Sequence, residues 1–322
     1  QPQNADAIVK RLIKESLPIT AGAIVINLSS FIDLLTITNC INISVSKNPG
    51  YFLENFTYNL KSVINITEIG NFIYGSYTGI LFSIFGLIPS MTAMVSKSAF
   101  PSIATAWEQK NTGLIRHNIN ILLKGTLIVG FPLCMGLSAL AEPILNILYF
   151  SKPDEAMVCL PPLIILSSGG IFLALCGALF NIFQAIGRSD LQIKIMIIGS
   201  GIKLICNLIL IPIPWLNISG AAISTLLCYI FICVIGFITL NRIMAKNQNS
   251  KIIFLPHFFT SCANSLLCAG GAYIAFKYLP VPGNIQKTAI SVVAGGTIYI
   301  AATLFTDRKY VLMFFKRIYK RA

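Results

Sequence analysis

Leu160-Pro-Pro-Leu-Ile-Ile-Leu-Ser-Ser-Gly-Gly-Ile-Phe-Leu-Ala-Leu-Cys-Gly-Ala-Leu-Phe-Asn-Ile-Phe-Gln-Ala-Ile186 runs for 27 residues without a charged side chain. The hydrocarbon core of a bilayer is crossed by about 20 helical residues, so this stretch is long enough to span it. Working outward in both directions, further stretches of the same kind follow, separated by short polar or basic loops. The spans are expected at Leu17–Thr38, Tyr77–Phe100, Asn118–Leu140, Leu160–Ile186, Leu191–Ile213, Ser219–Leu240, Pro256–Lys277 and Thr288–Phe305. The segment Asn39–Tyr74 is polar with isolated apolar groups and reads as a long loop holding a short surface helix.

Composition agrees. The mean hydropathy is +0.77 and only 11% of the 322 residues are charged, against roughly 25% in soluble domains. The class is therefore an all-α polytopic membrane protein of about eight transmembrane helices. Its net charge of +13 would point to nucleic acid in a soluble protein. Here the bases cluster in alternate loops, so no nucleic-acid partner is expected and membrane lipids are. One set of loops and the two ends carry 16 Lys and Arg, from Lys10 to Arg321; the other set carries Lys47, Lys61, Lys152, Lys277 and Lys287. Cytoplasmic loops are the basic ones, which places both termini in the cytoplasm. The basic, aromatic tail Tyr310–Arg321 fits an amphipathic segment on anionic lipid.

Nine cysteines lie mostly inside the apolar spans with no CxxC pair and read as small buried apolar side chains. His117 and His257 have no third ligand near them in sequence, so no metal site is expected. No nucleophile elbow, phosphate-binding loop or HExxH motif occurs, so an enzyme is not expected, and no cofactor beyond a coupling cation or proton.

Four ionisable residues fall within spans: Asp33, Lys97, Lys124 and Lys203. A charge at mid-bilayer costs about 2.5–3.5 kcal/mol on insertion scales and by default faces a protein interior or an aqueous cavity. Lys97 and Lys124 lie nearer the cytoplasm, where their long stems can reach out to water. Lys203 is close to mid-span and cannot. Asn207, four residues on, shares its helix face. Asp33 reads as lying in the outer third of the first span, which disfavours a direct pair with Lys97. Pro89, Pro132, Pro161, Pro162 and Pro212 sit within or at the ends of spans and can kink them. Gly169-Gly170 and Gly295-Gly296 read as close helix contacts.

Several strings occur in register. They include Leu12-Ile-Lys-Glu-Ser-Leu-Pro-Ile19 with Pro18, Phe31-Ile-Asp33, Tyr74-Gly-Ser-Tyr-Thr-Gly79 and Phe100-Pro-Ser-Ile103 with Pro101. Gly130-Phe-Pro132, Leu140-Ala-Glu-Pro-Ile144 with Glu142, and Gln184-Ala-Ile-Gly-Arg188 with Gly187 follow. Gly201-Ile-Lys-Leu-Ile-Cys-Asn207 and Ile218-Ser-Gly-Ala-Ala-Ile223 with Gly220 complete the set. Together they resemble the polysaccharide biosynthesis family that includes stage V sporulation protein B, which is similar to lipid II flippases and, more distantly, to multidrug and toxic compound extrusion transporters.

That resemblance implies two six-helix lobes plus two extra helices. Residues 1–242 would be the second lobe and 243–322 the extra pair with its basic tail, the first lobe being absent from this chain. It also implies a bacterial plasma membrane and the flipping of an undecaprenyl-linked saccharide, such as a peptidoglycan precursor, by alternating access for wall or spore-cortex synthesis. Asp33, Lys97, Lys203 and Asn207 would line the cavity, with Lys203 and Lys97 meeting the pyrophosphate and Asp33 coupling a cation or proton. A cation-coupled drug exporter of the same superfamily and a non-transporting scaffold for wall synthesis are the competing readings.

Overall fold

Residues 31–52, 66–248, 255–279 and 283–306 are described by a computed structural model, and no strand occurs among them. Asp33, Thr36, Ile37, Cys40, Ile41, Ser44 and Val45 are all buried along one side of a helix, α1, over residues 31–47. Their spacing is that of a single helical face. The expected end at Thr38 is therefore wrong: the helix continues through the polar run that read as a loop. Asn39, Ser46 and Lys47 point outward. The Thr36, Asn39 and Ser46 side chains each donate to the carbonyl four residues back, at 2.7–2.8 Å, which satisfies them without leaving the helix. A short turn, α2 (Pro49–Phe52), follows.

The second span is also longer than expected and is broken. It comprises α3 (Ile66–Ser76), a π-helical turn over Tyr77–Leu81, α4 (Phe82–Phe85) and α5 (Leu87–Glu108). Glu68–Phe85 and Leu87–Glu108 meet at 40°. The cause lies in the sequence. Pro89 has no N–H to give the Phe85 carbonyl four residues earlier. The ladder resumes on either side of that gap, with Gly86 N donating to Phe82 O at 2.9 Å and Ser90 N to Gly86 O at 3.2 Å.

Among the described residues, six helices are each long and apolar enough to cross a membrane, and the bent pair makes a seventh candidate. The six are α6 (Thr112–Ala139), α8 (Pro153–Ala185), α9 (Ser189–Leu210), α10 (Asn217–Gln248), α11 (Leu255–Tyr278) and α12 (Asn284–Thr306). Between α6 and α8 lies the short α7 (Ala141–Leu148). The expected first span falls largely outside the described residues. Pro101 and Pro132 lie within α5 and α6, and Pro161 and Pro162 within α8.

Helix α8 is the hub, packed by α10, α6, α5 and α9, while α11 pairs with α12 and leans on α6. Gly170 makes this closeness possible: a Cβ there would stand 2.9 Å from Ile88 Cδ1 and 3.1 Å from Phe85 Cε2. Gly295 serves the α11–α12 contact, where a Cβ would meet that of Ala272 at 2.9 Å. The neighbouring Gly296 is open on that side, so only one glycine of that pair is a packing device. The nine cysteines are free thiols, most of them buried.

Candidate functional site

Helices α1 and α9 lie side by side, and their polar groups meet inside the bundle. Lys203 Nζ and Asp33 Oδ2 are 2.5 Å apart. Asn207 Nδ2 donates to Asp33 Oδ1 at 3.3 Å and to Thr36 Oγ1 at 3.1 Å. The relative exposures are 8% for Asp33, 5% for Lys203 and 0% for Asn207, so water does not compensate these charges and the pair must. The i,i+4 spacing that put Lys203 and Asn207 on one face is thus used to grip a single partner. Asp33 is not in an outer third: α1 runs on for 14 residues beyond it, to residue 47, roughly 20 Å at 1.5 Å per residue. It sits at the depth of Lys203.

The pair borders a cleft of about 330 Å³ enclosed by α1, α4, α5, α8, α9 and α10. Phe82, Leu173, Phe180 and Met196 give it apolar walls, and Thr92, Ser96, Asn181 and Ser200 add neutral hydrogen-bonding groups. Pro89 lines it too, which sets the bend of the second span at its edge. An ammonium, a carboxylate, hydroxyls and an amide facing a largely apolar space can hold a polar head while leaving room for a greasy flank. The sequence reading missed Thr92, Ser96, Asn181 and Ser200. Their signal was present, since polar residues deep in apolar spans need internal partners.

Other expected site residues fall elsewhere. Lys97 is exposed, and its neighbour Ser96 faces the cleft instead. Lys124 is 9% exposed within α6, deeper than a side chain reaching out to water. Pro18 lies outside the described residues. Pro132 is half-buried, and Pro101 is exposed beside a second hollow between α5 and α6. Glu142 is exposed in the first turn of α7, where a carboxylate suits the helix dipole.

The string Gln184–Arg188 is a loop device. Gly187 has φ +71°; its N–H donates to Gln184 O at 3.0 Å, and the Arg188 N–H donates to Phe183 O at 2.8 Å. That is a Schellman end to α8. The Gln184 side chain bonds Gln192 at 2.9 Å, and Arg188 meets Asp190 at 3.1 Å, which sets the entry into α9. Gly220 does the same at the other end of α9, where a Cβ would stand 2.8 Å from the Leu210 carbonyl.

The sequence model of the family described as "Lipid II flippase MurJ" matches residues 67–277, a stretch that includes Lys203 and Asn207 and begins after α1. An uncharacterised membrane protein of Methanocaldococcus jannaschii is 31% identical over 152 residues, which is 47% of this chain and 29% of that protein. The lipid II flippase MurJ of Bacillus subtilis is 27% identical over 225 residues, 66% of this chain and 40% of that protein. The chain thus spans less than half the length of either relative. Among solved structures, a lipid II flippase MurJ in an inward closed conformation superposes with TM-score 0.61 at 19% identity, covering 82% of this chain and 56% of that one; the likeness is one of fold. The family is one of transporters, not of enzymes, and the apolar spans make the chain a multi-pass membrane protein. Since the family match covers well over half of its residues, this chain belongs to the MurJ lipid II flippase family.

Proposed function

We propose that the chain forms one lobe and the extra C-terminal helices of an alternating-access flippase for a lipid-linked oligosaccharide or peptidoglycan precursor. Residues 1–242 are the second lobe and 243–322 the extra pair. Both ends face the cytoplasm of a bacterium, and a first lobe supplies the opposite wall. The observation that carries this reading is the cleft. It joins the Asp33–Lys203 pair and four neutral hydrogen-bonding side chains to an apolar wall, which suits a sugar diphosphate on a lipid. Its volume of about 330 Å³ is at the small end of ligand sites, as one wall of a wider path would be. A cation exporter fits less well. Its cavity would favour acidic residues, and Asp33, the carboxylate bordering this cleft, is already neutralised by Lys203.

The test is translocation of a fluorescent lipid-linked sugar in vesicles holding the complete transporter. Lys203→Met should lose most of the activity per folded transporter, with rates normalised to the folded protein in the vesicles. Lys203→Arg should rescue poorly, because a planar fork replaces a compact point charge. Full activity of Lys203→Met would remove this wall from the substrate path.

A further inference from the structure

We propose that the hollow between α5 and α6 holds the headgroup of one anionic, hydroxyl-bearing phospholipid whose acyl chain lies along the outer face of α5. The proposal rests on the chain's crossing a membrane and not on what passes through the cleft. The hollow has a volume of about 330 Å³; Ser102, Thr105, Gln109 and Asn118 line it, with Pro101 and Leu114 in its apolar part. The four earlier hydroxyls of α5, those of Ser90, Thr92, Ser96 and Ser98, each donate to a carbonyl three or four residues back, at 2.7–3.3 Å. That is how a hydroxyl inside a helix satisfies itself. The hydroxyls of Ser102 and Thr105 hold no such bond among the described residues. Asn118 is 8% exposed; its Nδ2 donates to Ser102 O at 3.0 Å, and its Oδ1 accepts nothing among the described residues. Leu114 belongs to the first turn of α6, where N–H groups have no carbonyl within the helix. The Asn111 side chain takes the Leu114 N–H at 3.1 Å, which leaves those of Thr112 and Gly113 for an anion.

The chemistry of these groups selects the ligand. Free N–H groups and hydroxyls suit phosphate oxygens. The buried amide oxygen of Asn118 needs a donor, which a glycerol hydroxyl gives and a choline does not. Charge agrees: Lys97 is exposed one turn before Pro101, and Lys110 and Arg116 flank the hollow in sequence against a single acid, Glu108. The face of α5 opposite Thr92 and Ser96 provides for the tail. Leu87, Met91 and Met94 are exposed there, and the stripe continues through Ser98 to Pro101 and Thr105, in alternating steps of four and three residues. From Thr105 to Met94 is about 16 Å at 1.5 Å per residue, half of a hydrocarbon core of about 30 Å. One acyl chain of one leaflet therefore reaches from the polar hollow along the apolar stripe. Thr92 and Ser96 line the cleft, so this stripe faces away from it, and the lipid is a resident and not cargo.

The experiment is thermal unfolding of the purified, delipidated full chain in detergent, with phosphatidylglycerol, phosphatidylcholine or glycerol 3-phosphate added. Phosphatidylglycerol should raise the melting temperature by about 3 °C or more with saturable dependence, and the other two by no more than about 1 °C. The double variant Ser102→Ala, Thr105→Val loses hydroxyls that bond nothing in the protein. Without lipid it should melt within about 1 °C of the wild type, and it should lose most of the gain from phosphatidylglycerol. Native mass spectrometry should find one phosphatidylglycerol retained on the wild type and a lower occupancy on the double variant, which reads the site even where that variant is less stable. No gain from phosphatidylglycerol overturns the proposal and leaves the stripe to another part of the transporter. An equal gain from phosphatidylcholine, which is a general lipid coat, overturns it too, as does an equal gain from glycerol 3-phosphate, which is a phosphate site without a lipid. A double variant that keeps both the full gain and the full occupancy places the lipid elsewhere.

Discussion

Ser44 Oγ donates to the Pro212 carbonyl at 3.0 Å, beyond the point where Asp33 meets Lys203 and Asn207 meets Thr36. These contacts follow one another in the same order along α1 and along α9 into the loop after it, so the two run parallel and are tied at both ends. The upper tie is one neutral hydrogen bond, and the lower is a buried ion pair with an amide clamp. The polar part of the association therefore rests on Asp33, Thr36, Lys203 and Asn207 at one end and on Ser44 at the other.

Breaking that lower tie from one side should be costly. Asp33→Asn or Lys203→Met alone leaves an uncompensated charge, and removing one partner of a buried pair costs about 3–5 kcal/mol. The double variant leaves no charge and should be more stable than either single one. Thermal unfolding of the four proteins in detergent measures the coupling. Simple addition of the two single effects would show that the residues do not pair.

The α8–α9 loop offers a purely backbone test. Nothing lies within 4 Å of a Cβ at Gly187, so Gly187→Ala meets no clash and reports only the strain of φ +71°. A side chain in that region costs about 1–2 kcal/mol. Gly187→Asn should lose less, because Asn tolerates the left-handed region. Equal melting temperatures for wild type and the Ala variant would contradict the positive φ.

Restoring an amide at position 89 should straighten the second span. Pro89→Ala lets the Phe85 carbonyl pair again, so stability should hold or rise. Transport by the complete protein should fall, since the bend borders the cleft. Unchanged translocation would show that the 40° break is not needed.

Orientation is open to labelling. In a background without the nine native cysteines, an impermeant maleimide added outside should label Lys152→Cys and spare Lys110→Cys. Both native side chains are exposed, so access is decided by the membrane. The reverse pattern would invert the topology.

Periodicity made α6 and α8–α12 legible, because each is apolar over a bilayer's length. It also put Lys203 and Asn207 on one face. Asp33 was placed at the wrong depth for a traceable reason. Hydropathy falls after Thr38, and that fall was read as the end of the helix. The buried series 33, 36, 37, 40, 41, 44, 45 is amphipathic, not uniformly apolar, and a search for greasy runs passes over it. The same search fixed the second span too short, since α3 begins in a polar stretch. The cleft was less visible still. Its neutral lining comes from three helices, α5, α8 and α9, and only their packing brings Ser96, Asn181 and Ser200 to one space.

The Asp33–Lys203 contact joins positions 170 residues apart. At about 5–20 residues per second, a ribosome needs roughly 10–30 s after making Asp33 before Lys203 exists. During that interval, entry of α1 into the lipid would leave its carboxylate unmatched, at a cost of about 2.5–3.5 kcal/mol on insertion scales. Biogenesis thus has a waiting period: α1 stays sheltered by the insertion machinery, or held at the membrane surface, until α9 is synthesised and delivers the amine.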